Sequence, residues 1–213
     1  MKDTKIAIIG LGYVGLPLAI EFGKIYETLG FDTNKSRIDE LLMGKDSTRE
    51  VTFEELNNSS MLRYTNRVED IENCNFFIIT VPTPIDKLNN PNLVPLQQAS
   101  EAVGRFLKKD DIVIYESTVY PGATEEVCVP IIEKISNLKF NGNKVKKSFF
   151  VGYSPERINP GDKTNTLTEI VKVTSGCNEI AAKWVDNLYG SIIEAGTFPV
   201  SSIKTAEAAK IIE

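Results

Sequence analysis

The chain is 213 residues long, carries 24 Lys and Arg against 29 Asp and Glu, and has a formal charge of −5 and a pI near 5.1. That acidic balance speaks against a nucleic-acid surface. A hydrophobic fraction of 42% with 25% charged residues is that of a soluble globular domain, and no run approaches the ~18 apolar residues of a membrane span.

The first predicted element is a short buried strand, Ile6 to Ile9, which runs into Gly10, Gly12 and Gly15 at the spacing G-x-G-x-x-G. Leu16, Ala19, Ile20 and Phe22 to Gly23 continue at near-helical spacing. In such a strand-turn-helix unit the first glycine permits a tight turn, the second lets a ligand approach the backbone, and the third lets the helix pack on the strand. The helix start directs unpaired N–H groups and the positive end of the helix dipole at the turn, which suits a pyrophosphate. A second apolar stretch ends in Asp32, where an acid would bond the adenosine ribose and repel a 2′-phosphate, so NAD is expected over NADP. Lys35 and Arg37 follow closely and are the residues that would attract that phosphate instead.

Further along, residues 35–43 and 53–58 read as helices, 75–82 as a buried strand, 95–107 as a helix and 111–118 as a strand. A helix is predicted over 124–135, with Val127, Ile131, Ile132 and Ile135 facing the sheet. Strands at 148–155 and 169–176 and a helix at 178–189 follow, while the lysine-containing stretch 139–147 reads as a solvated loop. This alternation predicts an α/β fold: a Rossmann-like, doubly wound, mainly parallel sheet covered on both faces. Residues 1–196 are assigned to that domain. Residues 197–213 are read as the start of a connecting helix, because SSIKTAEAAKIIE is strongly helix-forming and stops without a cap. The chain is therefore expected to be the N-terminal piece of something longer, with Ile203, Ala206, Ala209, Ile211 and Ile212 packing on the remainder.

The residue inventory narrows the chemistry. With no histidine, lactate- and malate-type dehydrogenases are excluded, since they use a His base. No tyrosine precedes a lysine by four positions, which removes the short-chain type, and zinc alcohol dehydrogenase ligands are absent. A carboxylate, a lysine or an activated water is left as proton acceptor. Cys74, Cys128 and Cys177 form neither a disulfide framework nor a metal site. The glycine-broken start is no signal peptide, so a cytoplasmic protein is expected.

Ligands in open α/β sheets bind beyond the strand carboxyl ends, which points to VPTP at 81–84, ESTVYPGATEE at 116–126 and YSPERINPGD at 153–162. Together with GLGYVG at 10–15, FDTN at 31–34 and the final EAAKIIE, these stretches resemble the N-terminal domain of the UDP-glucose/GDP-mannose dehydrogenase family along the entire chain. The form SPERINPG is similar to the branch acting on UDP-N-acetylhexosamines. The resemblance implies NAD contacts from the turn around Gly10, Gly12, Tyr13, Val14 and Gly15, and from Asp32, Arg37, Thr83 and Thr118. It implies catalytic roles for Thr118, Glu156 and Lys210, substrate contacts from Glu156, Arg157 and Lys210, and no metal. It also implies a UDP-sugar substrate and a homodimer in the full-length protein.

The family's reaction oxidises a C6 hydroxyl to a carboxylate with two NAD molecules, through a thiohemiacetal and a thioester on a cysteine. Lys210 would stabilise the developing alkoxide, and Glu156 with a Thr118-held water would move protons. The family's nucleophilic cysteine lies in a later domain, and its asparagine four positions beyond the lysine would fall after Glu213. None of the three cysteines present is a good substitute for that nucleophile: Cys74 precedes a buried strand, Cys128 lies on the apolar side of a helix, and Cys177 has only its place at a helix start in its favour. UDP-N-acetylglucosamine is the expected substrate, for uronate synthesis in surface polysaccharide formation. UDP-glucose or GDP-mannose 6-dehydrogenase, a β-hydroxyacid dehydrogenase and a non-catalytic NAD-binding module are the alternatives.

Overall fold

The computed structural model describes residues 3–140, 148–157 and 166–212. Its strands are β1 (Lys5–Ile9), β2 (Glu27–Phe31), β3 (Leu62–Thr65), β4 (Phe76–Ile79), β5 (Ile112–Tyr115), β6 (Lys139–Phe140), β7 (Ser148–Tyr153), β8 (Lys172–Gly176) and β9 (Thr197–Pro199). They lie in the order β3-β2-β1-β4-β5-β7-β8-β9, with β6 beside β7. All pairings are parallel except β7 with β8. The chain winds outward from β1 through β2 to β3, then returns to place β4 on the other side of β1. The crevice for a ligand in such a sheet lies at that reversal.

The apolar runs are strands buried on both faces. Ile6 and Ile8 of β1, with Ile78 and Ile114, pack under helices α1 (Gly15–Gly23) and α6 (Glu179–Gly190) through Leu16, Ile20, Val185 and Leu188. Ala7 and Ile9, with Phe77, Ile79 and Val113, face α4 (Val94–Gly104) and α5 (Val129–Ser136) through Leu96, Val103 and Ile132. Helices α2 (Lys35–Leu42) and α3 (Phe53–Asn58) follow β2. Asn178 caps α6, its side chain accepting N–H groups from Ile180 and Ala181, as N-cap chemistry favours.

Several expectations need correction. The segment 124–135 is a π-helical turn, Thr124–Cys128, followed by α5. Pro130 has no N–H for an α-helical ladder, and the wider turn accommodates its absence. The helix face is rotated in consequence. Thr124, Cys128, Val129 and Ile132 are buried, Val127 and Ile131 half-buried, and Ile135 exposed. The strand expected over 169–176 begins only at Lys172, after a short 3₁₀ turn at Leu167–Glu169. Strands β3, β6 and β9 were not anticipated, and β9 hydrogen-bonds β8 from Thr197 to Pro199. The last helix, α7 (Ile203–Ile212), packs on this chain's own core: Ile203 and Ala206 are buried there, whereas Ile211 and Ile212 are exposed. The expected loop 139–147 yields β6 at its start, and the rest lies outside the described residues, as do Ile158 to Gly161 of SPERINPG. Among the described residues no helix is long and apolar enough to cross a membrane.

Candidate functional site

Five parallel strands, β2, β1, β4, β5 and β7, end level with one another. Gly10 N–H bonds Phe31 O at 2.8 Å, Thr80 N–H bonds Ile9 O at 3.0 Å, Glu116 N–H bonds Ile79 O at 2.9 Å and Ser154 N–H bonds Tyr115 O at 3.0 Å. Beyond this row opens a cleft of 380 Å³ lined by Gly10, Gly12, Tyr13, Val14, Asp32, Thr80 to Thr83, Glu116 to Thr118, Glu156 and Lys210. A second cavity of 490 Å³ adjoins it, sharing Gly10, Asp32, Val81 and Pro82 and running to Gln98 and Arg105 on the α4 side.

The three glycines act differently. Gly10 has φ +98°, the left-handed region that glycine adopts without a Cβ clash. A Cβ on Gly15 would stand 1.9 Å from Gly10 O and 2.4 Å from Thr80 Oγ1, so the start of α1 can sit there only without a side chain. A Cβ on Gly12 would meet nothing within 4 Å, because its surroundings are the open cleft. Asp32 braces the turn from the side: one carboxylate oxygen accepts Leu11 N–H at 2.8 Å and the other Asn34 N–H at 2.8 Å.

Arg37 does not line the cleft. It is 7% exposed, and its Nε donates to Leu11 O at 2.8 Å beneath the glycine turn. Its Nη1 pairs with Glu40 and, at 2.8 Å, with Asp46. Burial pulls the Asp46 carboxyl upward, and hydrogen bonds from Thr48, Arg37 and backbone N–H groups outweigh it, holding the group below its usual range. Lys35 is paired with Asp39 at 2.6 Å on the surface of α2. Both cations considered for a 2′-phosphate thus already face carboxylates.

The far wall is built from segments distant in sequence. Thr83 Oγ1 donates to Thr118 O at 2.6 Å, and Ser117 Oγ to Val81 O at 2.5 Å, which ties the loop after β4 to the loop after β5. Lys210 Nζ donates to the carbonyl oxygen of Glu156. One turn earlier on α7, the fully buried Glu207 accepts N–H groups from Gly122 and, at 2.9 Å, from Thr124, locking α7 to the loop that carries Thr118. Arg157 is half-buried beside Glu156.

Glu116, Lys172 and Glu207 were given no role from sequence. Beneath the cleft, Lys172 Nζ donates to Glu116 Oε2 at 3.0 Å and lies 3.8 Å from Glu156 Oε2. Tyr189 OH donates to the other oxygen of Glu116. Burial pushes the Glu116 carboxyl up to about 7 although Lys172 opposes the shift, and the nearby Glu156 adds to it. A lysine inside an otherwise buried strand pattern, VKVTSG, was the available signal, since buried lysines are almost always paired. Burial pushes the Cys177 thiol up to about 11, outweighing any benefit from the helix start. Among the described residues, no group of Cys, Asp and Glu is arranged to hold a metal ion.

Comparison with known proteins agrees with this geometry. Residues 4–193 match the model of the NAD binding domain of the UDP-glucose/GDP-mannose dehydrogenase family. The chain belongs to that family. It is 60% identical over 213 residues to a UDP-N-acetyl-D-glucosamine 6-dehydrogenase of Pseudomonas aeruginosa and 57% identical to one of Salmonella typhi. In both cases the match covers 100% of this chain and 49% of the relative, so the chain spans about half the length of these curated relatives. A solved UDP-D-ManNAc dehydrogenase of Pyrococcus horikoshii superposes with a TM-score of 0.83 at 31% identity, over 98% of this chain and 49% of that one. The family's dinucleotide fits the residues found: the open space over Gly12, the N-terminus of α1 behind it and the Asp32 carboxylate at the rim are the parts a pyrophosphate and a ribose require.

Proposed function

We propose that this chain is the cofactor-binding half of a longer NAD-dependent dehydrogenase that oxidises the C6 hydroxyl of a UDP-N-acetylhexosamine to the uronate, with UDP-N-acetylglucosamine as substrate and surface polysaccharide as destination. The observation that carries the reading is the convergence of Thr118, Glu156 and Lys210, from three separate segments, onto the cleft that holds the glycine turn and Asp32. A module that only sensed NAD would need the turn and Asp32 but no ammonium and carboxylate beside them. Identity of 57–60% with UDP-N-acetyl-D-glucosamine 6-dehydrogenases supports the choice of sugar.

NAD, when bound, supplies the hydride acceptor. Gly12, Tyr13 and Val14 bind its pyrophosphate and Asp32 its ribose, while Arg37 acts from beneath by holding Leu11 O. Thr83 and Thr118 face the nicotinamide side, joined by their own hydrogen bond. Lys210 is fixed on Glu156 O, and an ammonium has donors to spare for a substrate alkoxide. Glu156, with a water held by Thr118, accepts the hydroxyl proton. In this reading Arg157, which follows Glu156, meets the sugar or the diphosphate. None of the three free cysteines lines the cleft, and unpaired thiols fit a cytoplasmic protein. The longer protein is proposed to be a homodimer.

The test is turnover of UDP-N-acetylglucosamine by the longer protein, with two NADH formed per uronate, while the 213-residue chain alone binds NAD and forms no uronate. Preference for UDP-glucose, turnover without NAD, or uronate formed by the chain alone would each contradict the reading.

A further inference from the structure

The loop after β5 runs into the π-helical turn Thr124–Cys128 without a cap of its own. Ala123 stands at the N-cap position, and the buried Thr124 hydroxyl finds no hydrogen-bond partner among the described residues. The backbone N–H groups there are served from α7, 83 and 85 positions away: one Glu207 oxygen accepts Thr124 N–H at 2.9 Å and the other accepts Gly122 N–H. Glu207 is 0% exposed, and a glutamate is almost never buried so completely unless it is hydrogen-bonded or paired. Ile203 and Ala206 of α7 are buried beside it in the core. Apolar contact is non-directional, whereas two N–H···O bonds to one side chain have direction and fix the helix in rotation and along its axis. A second tie between the same segments, Lys204 to Glu126 at 2.7 Å, is exposed on both sides and holds them weakly.

Lys210 follows Glu207 by three positions, which places the two one turn apart on neighbouring parts of the α7 surface. Thr118 lies on the loop that Glu207 grips, four residues before Gly122. Resting on the proposed reaction, we propose that Glu207 is a positioning residue: by holding the Gly122 and Thr124 backbone it sets where the Lys210 ammonium stands against Thr118 and Glu156, and thereby the rate of alcohol oxidation. Glu207 itself does not line the cleft. Thr118 has anchors independent of α7, since Tyr153 OH donates to Ser117 O at 3.1 Å and Thr83 Oγ1 to Thr118 O at 2.6 Å. Lys210, by contrast, is carried by α7, so a loosened grip reaches the chemistry through Lys210. A misplacement of about 1 Å by a change remote from the reacting atoms can cost on the order of a hundredfold in rate.

The experiment uses the longer protein with NAD and UDP-N-acetylglucosamine, each variant being assayed well below its melting temperature. Glu207→Gln keeps the size of the side chain but offers one acceptor oxygen to two N–H groups and turns its own NH₂ on the other. It is expected to lower kcat by about ten- to a hundredfold while NAD affinity by calorimetry stays unchanged. In a Lys210→Ala background the same substitution should cost little more, because residues that act through one another are not additive. A folded Glu207→Gln protein with wild-type kcat overturns the proposal. So does an equal fold-loss with and without Lys210, which would place the action of Glu207 elsewhere. Should Glu207→Gln not fold, Glu207→Asp, which keeps both oxygens one methylene short, is read by the same two criteria; failure of both to fold would make the tie purely structural and also overturn the proposal. A wild-type protein that binds NAD but leaves the sugar nucleotide unoxidised would instead contradict the proposed reaction itself.

Discussion

A Gly15→Ala variant is expected to lose about 3 kcal/mol of stability and NAD binding with it. The added Cβ would stand 1.9 Å from the Gly10 carbonyl oxygen, which is backbone and already accepts the Thr80 hydroxyl at 2.7 Å. Relief would require moving α1 away from the ends of β1 and β4, and that is the wall of the cleft. Gly12→Ala is the informative contrast. No atom lies within 4 Å of its Cβ, so thermal stability should stay close to wild type. The methyl group would instead project into the space the pyrophosphate needs, and NAD affinity should fall at least tenfold, about 1.4 kcal/mol. Thermal melts with NAD titrations of both variants check the pair. Equal destabilisation of the two would contradict the division of labour between these glycines.

In the longer protein, Lys210→Ala should lower kcat by roughly a hundred- to a thousandfold while leaving NAD affinity unchanged. Lys210 lies on the cleft wall with its ammonium on Glu156 O, and Glu207 fixes the helix that carries it. The side chain is half-buried, so truncation removes a charge without opening the core. Steady-state NADH formation reads the effect. A normal kcat would remove Lys210 from the chemistry.

Much of the cofactor side was legible in the sequence because each residue there answers a local steric or electrostatic demand. Gly10 needs a positive φ, Gly15 an absent Cβ, and Asp32 a place just past the second strand, and each requirement is met within one βαβ unit. The apolar runs gave the central strands for the same reason, since burial on both faces leaves no polar alternation to misread. What escaped depends on partners far apart in the chain. Lys172 and Glu116 are separated by 56 positions and Glu207 and Thr124 by 83, so nothing local announces those pairs. Arg37 stood at the right place to meet a cofactor, yet Asp46 and Glu40 draw its guanidinium beneath the turn. The π-helical turn before α5 was hidden because a helical apolar pattern does not reveal one additional residue in a turn. Short edge strands such as β3 and β9, of four and three residues, offer too few positions for a pattern.

Calorimetric titration of this 213-residue chain with NAD and, separately, NADP tests the central claim most directly. The account expects saturable NAD binding at one site and at least tenfold weaker NADP binding, about 1.4 kcal/mol, because Asp32 stands where the 2′-phosphate would come while Lys35 and Arg37 are paired with carboxylates. Absence of NAD binding, or equal affinity for the two dinucleotides, would contradict it.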